Sequence, residues 1–557
     1  MGSDAIPATY QNRPTRNKDN SSSRLHSVIG VFSLFLTVAV LVRLPHLSDR
    51  SIWYDEASSW QMSQFSMPEL WYACKLNVHP PLYYLVLKLW RTICGDSPVA
   101  LRSLSILWSV IAIAGLFMLG WMLGDQGIET PWGETNLHRF YCATISSALF
   151  ALSAFQVNSA IEARMYSMGT ALALWAAVVT VRVIRGASGV FWIILGVLML
   201  GALYTHHYCI FLVAAKIVTL GIWSLAYGFT GHNNLARKQF CALALGVGLG
   251  FVPGIILLST QVARVSQDYW TVPLGAELVL QTFSEFWQPV KVTDSSTVGT
   301  IVIALSTGAT LAAIRRKALE IWLVVLCAWL PMLLGGLVSL LVTPVWEGRF
   351  FRFSEPFLLM TVALGIRRLL PHGWSWVVGS VIVGVVACGT WFFWRSRQID
   401  DRGGMRAAAA FILENSGENE LVVATSNVHY FPAKYYIRGQ RQVKLFRDSV
   451  RQFWGHHLIR PHDLVGIREI LQARKNGIWV ISHSSHWKDL PLTGEIKPRI
   501  QRVFHYDYGV PQWDIYVTHI PSEAHSEIAK DGPLLFGQDY LLTNRHPDRG
   551  LTEEVRR

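Results

Sequence analysis

Two carboxylates stand side by side at Asp55-Glu56, with Trp53, Tyr54 and Trp60 around them, and a His79-Pro80-Pro81 turn follows. Adjacent acids next to an apolar surface repel each other and lose hydration, which raises the pKa of one of them. A carboxylate tuned in that way can serve as a general base. The same pair also suits a structural role, capping a short helix that begins near Ala57, because carboxylates are stabilised at a helix N-terminus. The residue types alone leave the two acids equivalent.

Three further clusters carry chemistry. Glu162, Arg164 and Tyr166 fall in one short stretch, and Tyr204-Thr205-His206-His207-Tyr208 forms a second. Trp346-Glu347-Gly348-Arg349-Phe350-Phe351-Arg352 is the third. An acid and a base at the mouth of an apolar bundle are costly unless paired or functional. Arginine at such a place suits a phosphate, whose oxygens match the guanidinium fork. Snorkelling of Arg349 and Arg352 and an aromatic belt of tyrosines are the plainer readings of the same residues.

The elements that position these residues are apolar. The chain has 557 residues, of which 51% are hydrophobic and only 15% charged, and its mean hydropathy is +0.31. A soluble domain carries about 25% charge, so this is a membrane protein with a soluble part. The net charge of +12 comes from short basic clusters between apolar runs, which is the pattern of cytoplasmic loops and excludes nucleic acid as the partner. Of seven cysteines, only Cys74 and Cys94 lie where a disulfide is plausible, and no CxxC suggests a metal or redox centre.

Apolar runs of spanning character lie near 27–43, 100–123, 139–158, 166–184, 190–205, 208–228, 239–260, 298–314, 319–342, 356–370 and 374–394. Eleven spans and a cytoplasmic N-terminus put Arg139, Arg182 and Arg185, Arg237-Lys238, Arg315-Arg316-Lys317 and Arg367-Arg368 inside. Residues 43–98, the turn around Asn158 to Tyr166, the loop Gln261 to Val298 and residues 343–356 then lie outside. This count requires the short, cation-ended run Pro81 to Trp90 to lie along the interface as an amphipathic helix. Residues 1–25 read as a disordered cytoplasmic tail, and residues 26–394 as the transmembrane catalytic domain. No small-residue cleavage site follows the first apolar run, which therefore reads as a retained span rather than a signal peptide.

After Trp394 the composition turns polar. Helices are expected at Gly404 to Asn415 and Asp463 to Arg474, and strands at Leu421 to Thr425, Ile478 to Ser482 and Ile515 to Thr518. Residues 395–557 thus read as a small external α/β domain. Its histidines, His429, His456, His457, His483 and His486, have no metal-ligand spacing.

Taken in order, WYDEASS (53–59), HPPLYYLVLKLW (79–90), ALRSLS (100–105), SAIEARMYSM (159–168) and YTHHY (204–208) resemble the polyprenyl-phosphate-sugar-dependent glycosyltransferases of GT-C type. Within that group the chain is similar to the family of the protein mannosyltransferases and lipid A aminoarabinose transferases. The resemblance implies a polytopic α-helical membrane protein of about eleven transmembrane helices, with interfacial helices in the first external loop. It also implies inverting transfer of a sugar from a polyprenyl-phosphate donor to an acceptor outside the cell (inner) membrane. By that resemblance Asp55 is the base and Glu56 its catalytic partner. His79, Arg102, Glu162, Arg164, Tyr166, His206, His207 and Arg349 line the donor phosphate site. The partners are then the lipid-linked sugar, membrane lipids and an acceptor the sequence does not name. No cofactor or metal is demanded, because arginines can balance a phosphate monoester. A transporter or flippase for a lipid-linked substrate is the competing reading; it calls for ionisable residues or broken helices within the bilayer.

Overall fold

The computed structural model describes residues 18–45, 47–124, 132–187, 189–229, 234–265, 271–287, 295–315, 318–396, 404–446, 458–483, 499–504 and 514–522. The helices up to the tail are α1 (Lys18–Arg43), α2 (Tyr54–Met62), α3 (Met67–Leu76), α4 (Leu82–Cys94), α5 (Pro98–Leu123), α6 (Trp132–Leu152), α7 (Ala154–Ala160) and α8 (Tyr166–Ile184). They continue as α9 (Gly189–Leu203), α10 (Cys209–Phe229), α11 (Asn234–Gly250), α12 (Val252–Val265), α13 (Ala276–Trp287), α14 (Ser295–Ile314), α15 (Leu319–Leu341), α16 (Glu355–Leu369) and α17 (His372–Ser396). A 3₁₀ turn, Gly348–Phe353, precedes α16.

Each of the eleven apolar runs lies in helix. Six described helices are long and apolar enough to cross a bilayer, or eight if each of two bent pairs is one span. The remaining three runs give helices that fall short of that measure: the apolar part of α1 is Gly30–Arg43 and α9 is Gly189–Leu203, while α16 has 15 residues and carries Glu355, Arg367 and Arg368. One bent pair is α6 and α7, broken by 63° at Ser153. There the Ser153 hydroxyl accepts the Gln156 amide at 3.3 Å, so the new helix starts with its own cap. The other is α11 and α12, bent by 49°. Helix α1 reaches back to Lys18, inside the stretch expected to be disordered; residues 1–17 of that tail lie outside the described residues.

Close helix packing inside the bundle uses glycine. At Gly365 of α16 a Cβ would sit 2.3 Å from the Ala309 carbonyl oxygen of α14, and backbone cannot step aside as a side chain can. Gly365→Ala is therefore expected to force α14 and α16 apart and cost about 1–3 kcal/mol. A lowered unfolding temperature of the purified protein, relative to Gly373→Ala, where a Cβ meets nothing within 4 Å, checks this.

The segment between α1 and α5, expected from sequence to be the first external loop, folds into α2, α3 and α4. Helix α2 starts at Tyr54, three residues before the expected start near Ala57, so both acids lie in its first turn. Helix α3 is opened by Ser66, whose amide donates to the Glu69 carboxylate at 2.9 Å. Helix α4 buries Tyr83, Tyr84 and Leu87 and leaves Leu89 and Ile93 exposed by 64% and 72%, an outward apolar stripe fit for the bilayer surface. Cys74 is buried, Cys94 is exposed and both are free; the disulfide considered from sequence is not formed. Helix α13 falls within the segment expected to be an external loop.

The tail holds α18 (Gly404–Asn415), α19 (Asn427–Ile437), α20 (Ile467–Ala473) and strands β1 (Leu421–Ala424), β2 (Val443–Phe446), β3 (Leu464–Val465), β4 (Ile478–His483), β5 (Arg499–Phe504) and β6 (Ile515–Ile520). The sheet order is β3-β2-β1-β4-β6-β5. The pairs among β1 to β4 are parallel, and β6 runs antiparallel to β4 and to β5. The helix expected over Asp463 to Arg474 starts only at Ile467. Asp463 is drawn into a turn by the Arg460 amide, 2.9 Å from its carboxylate, and by Lys434 at 2.8 Å; Gly466 then donates to Glu469 at 2.7 Å to open α20. His456, His457 and His486 lie outside the described residues.

Helix α19 rests on α2. Phe431 packs on Tyr54 with ring centres 6.0 Å apart, and Tyr435 meets Trp60 edge-on at 5.2 Å. The Ile52 amide donates to the Tyr436 hydroxyl at 2.7 Å. The tail thus braces the loop that carries the acids.

Candidate functional site

The two carboxylates that the sequence leaves equivalent are held differently. Glu56 is fully buried and forms a two-pronged pair with Arg102: Nε donates to Oε1 at 2.8 Å and a terminal nitrogen to Oε2 at 2.7 Å. The Ala163 amide donates to the same Oε1 at 2.9 Å. Burial pushes the Glu56 pKa up, but the Arg102 charge, its hydrogen bonds and the Ala163 amide together outweigh burial and hold it below the usual value. Arg102 also donates to the carbonyls of Leu47, Arg50 and Ser51 at 2.7, 3.0 and 3.0 Å. A guanidinium has five N–H donors, and all five are spent. Arg102, expected to line the phosphate site, instead clamps the start of α2 to α5.

Asp55 is the acid that stays available. Its side chain is 18% exposed, and Oδ2 lies 3.4 Å from Arg349 and 3.7 Å from Arg164. Both distances are long for a hydrogen-bonded pair, so the carboxylate sits in the field of two arginines without being locked to either. Arg164 is held in place by the Asp55 carbonyl and the Ser59 hydroxyl, each at 3.2 Å, and by His79 Nε2 at 2.9 Å.

Three histidines, His79, His206 and His207, lie beside Arg164. The ring of His79 lies 5.4 Å from that of His206, and His206 packs against Tyr166 at 5.8 Å and Phe353 at 4.8 Å. His207 pairs with Gln261 of α12, and Gln261 in turn donates to the Cys74 carbonyl at 2.6 Å. The Leu82 amide donates to the Tyr204 carbonyl at 3.0 Å, which ties the His-Pro-Pro turn to the Tyr204–Tyr208 stretch. Burial, then the positive field of Arg164 and the other histidines, takes His79 well below the ordinary histidine value. Burial, then His207, Arg164 and Arg349, does the same to His206. Burial lowers His207 to about 4 against the pull of its Gln261 bond.

A second acid and base lie beside these. Arg352 is buried, reaches Glu162 at 3.4 Å and stacks over Tyr166 at 4.7 Å. Its carbonyl accepts from Gln156 at 2.8 Å. Gln156 and Ser153, at the break between α6 and α7, donate to Glu355 at 2.6 and 2.7 Å. Glu347 lies 3.6 Å from Arg349; burial raises its pKa despite the Arg349 and Arg352 charges. Helix α13 supports this loop through Thr282, which accepts from the Trp346 indole at 2.9 Å. Among the described residues no group of three or more His, Cys, Asp or Glu is placed to hold a metal ion.

The structure therefore brings Asp55, His79, Arg164, His206 and Arg349 into one cluster, with Glu162, Tyr166 and His207 at its edges. Sequence reasoning named Glu347 and Arg352 in the third cluster but gave neither a role at the site, and it passed over the Ser153–Gln156–Glu355 chain. The spacing of Arg349 and Arg352 held a signal, because residues three apart align on one side of a 3₁₀ turn.

This helical architecture, with its interfacial loop and α/β tail, is the GT-C fold. The chain is similar to ArnT from Cupriavidus metallidurans in the apo state, at 11% identity over 91% of this chain and 100% of that one, with a TM-score of 0.57. It is also similar to the same ArnT bound to undecaprenyl phosphate, at 12% identity over 91% of this chain and 99% of that one, with a TM-score of 0.55. No family model and no curated protein matches the sequence.

Proposed function

We propose that the protein transfers a sugar from a polyprenyl-phosphate carrier to an acceptor at the outer face of the membrane. The observation that carries this reading is the partly exposed Asp55 carboxylate set between Arg349 and Arg164 at 3.4 and 3.7 Å. The likeness in fold to a protein solved with undecaprenyl phosphate supports the donor class. In this mechanism an acceptor hydroxyl or amine attacks the anomeric carbon, and Asp55 takes its proton. The bond from that carbon to the phosphate oxygen breaks with inversion. The phosphate monoester leaves with its charge met by Arg349 and Arg164, fixed donors that need no reorganisation. Glu56 and Arg102 hold α2 so that Asp55 faces the arginines. Metal is not required in this scheme, since the arginines balance the leaving charge. Mass spectrometry of membrane lipids and envelope glycans, with the wild-type chain and with Asp55→Asn, tests the proposal. The glycan product should vanish and the lipid-linked donor accumulate in the variant; unchanged pools would refute it.

A second reading, a flippase, is favoured by the two bent helix pairs and by the fully buried Lys216 in α10, which meets the Leu212 carbonyl, Cys327 and the Phe357 ring. Movement of a lipid-linked sugar across reconstituted vesicles with no transfer to any acceptor would establish it over the first.

The proposed orientation places the protein in the cell inner membrane with residues 1–25 cytoplasmic and the α/β tail outside. Glu418 is an exposed tail residue. In a background with all seven cysteines replaced, Glu418→Cys is expected to react with a membrane-impermeant maleimide at the external face. Labelling only after the membrane is opened would invert the topology.

A further inference from the structure

The hydrogen bonds around two buried histidines fix which nitrogen of each carries the proton. His79 Nε2 faces a terminal nitrogen of Arg164 at 2.9 Å; a guanidinium only donates, so Nε2 accepts and the proton of the neutral ring is on Nδ1. His206 Nδ1 accepts from the Tyr208 backbone amide at 3.2 Å, so its proton is on Nε2. Neither ring can be doubly protonated while it accepts at one nitrogen. The depressed pKa values of both agree. His79 is 9% exposed and His206 is 3% exposed, yet among the described residues His79 Nδ1 and His206 Nε2 have no hydrogen-bond partner. Leaving a buried donor unmet costs about 1–3 kcal/mol, and here two such donors sit on rings whose centres are 5.4 Å apart. Two N–H groups cannot satisfy each other. A single oxygen acceptor set between the two rings would satisfy both, since an N–H group reaches an acceptor roughly 2.9 Å away.

We propose that the N–H groups at His79 Nδ1 and His206 Nε2 form a neutral two-donor clasp for one oxygen of the lipid phosphate. This rests on the polyprenyl-phosphate reading of the site and adds what the histidines do in it. The positive charge needed to hold the phosphate is already supplied by Arg164 and Arg349. Protonated histidines there would repel those arginines in the empty site and be expensive to maintain. Neutral donors grip the anion without that repulsion, and they are oriented in advance because their other nitrogens are pinned by Arg164 and Tyr208.

Amide side chains separate the two nitrogens. Asparagine places its amide near the Nδ1 position of histidine, and glutamine near the Nε2 position. Binding of undecaprenyl phosphate to the full-length protein in nanodiscs, read by native mass spectrometry, is compared with binding of inorganic phosphate alone. His79→Asn, which can restore the donor, is expected to bind the lipid about tenfold or more tighter than His79→Gln. For His206 the ranking reverses: His206→Gln retains affinity and His206→Asn loses it, although the latter keeps the acceptor for the Tyr208 amide. A merely structural role would rank the His206 variants the other way. Equal affinities, or the opposite ranking at both positions, would overturn the clasp. Equal weakening toward inorganic phosphate and the lipid assigns the grip to the phosphate group itself, as proposed; weakening toward the lipid only would place the histidines on its chain and overturn the proposal. Failure of the wild-type protein to bind undecaprenyl phosphate would instead remove the donor assignment beneath it. If a variant does not fold, nitrogen-15 solid-state spectra of histidine-labelled wild type decide. Two protonated ring nitrogens should shift when undecaprenyl phosphate is added, and unmoved signals would refute the clasp.

Discussion

Asp55→Asn is expected to lower kcat for sugar transfer by about 100- to 10,000-fold, the contribution of a positioned general base, while leaving donor binding intact or tighter. The split follows from the geometry. Asparagine keeps the size of the side chain, and Arg164 retains its contacts to the residue-55 carbonyl and Ser59 at 3.2 Å. What is lost is the proton acceptor and a negative charge 3.4 Å from Arg349. Without that charge, both arginines are freer to meet a phosphate. Steady-state kinetics with a polyprenyl-phosphate sugar, together with direct binding of undecaprenyl phosphate, check both halves. Undiminished turnover would remove Asp55 from the chemistry; a matching loss of donor affinity would make it a binding residue.

Glu56→Gln should act on the fold before it acts on the reaction. Removing one member of a buried, hydrogen-bonded ion pair costs about 3–5 kcal/mol, because the other charge stays buried. Replacing both partners often rescues such pairs, but not here. Arg102 also satisfies the carbonyls of Leu47, Arg50 and Ser51, so Glu56→Leu with Arg102→Met leaves three acceptors to be rehydrated or stranded. The double variant is expected to be no more stable than Glu56→Gln. The pH dependence has a definite sign. The folded pKa of Glu56 lies below its usual 4.5, so the ionised carboxylate contributes its full stabilisation above the unfolded value. That contribution fades as pH falls through the lower folded value. Wild-type unfolding temperature should therefore drop on acidification through and below about 4.5 more steeply than that of Glu56→Gln, and parallel curves would contradict the assignment.

Helix positions were legible in the sequence wherever apolar runs were long, since a bilayer demands internally bonded backbone. The break at Ser153 was not, because the run through Leu152 and Ala154 stays apolar and only a side-chain cap marks the bend. Strand β2 and helix α19 escaped for a related reason: β2 has four residues, and α19 contains Pro432, which argues against helix until its neighbours are known. At the site, composition placed Asp55, Glu56, His79, Arg164 and Arg349 in segments that could meet. It could not say which acid faces an arginine whose five donors are all committed. That distinction depends on Leu47, Arg50 and Ser51 presenting carbonyls to Arg102, and backbone carbonyls carry no signature in a sequence. Arg352 was named yet given no role at the site, because an arginine at a helix end has an ordinary explanation as snorkelling.

The seating of α19 on α2 ties the timing of assembly to the order of synthesis. Tyr54 and Trp60 emerge early from the ribosome, while the Phe431 and Tyr435 that pack on them emerge hundreds of residues later. Until the tail has been made and has folded, the α2 face waits without its cover. A half-made chain therefore already spans the bilayer yet holds its acids on an unbraced loop. Under the proposed function, the site is completed only once α19 has been made, and lipid-linked substrates around the nascent protein would be spared an unfinished catalyst.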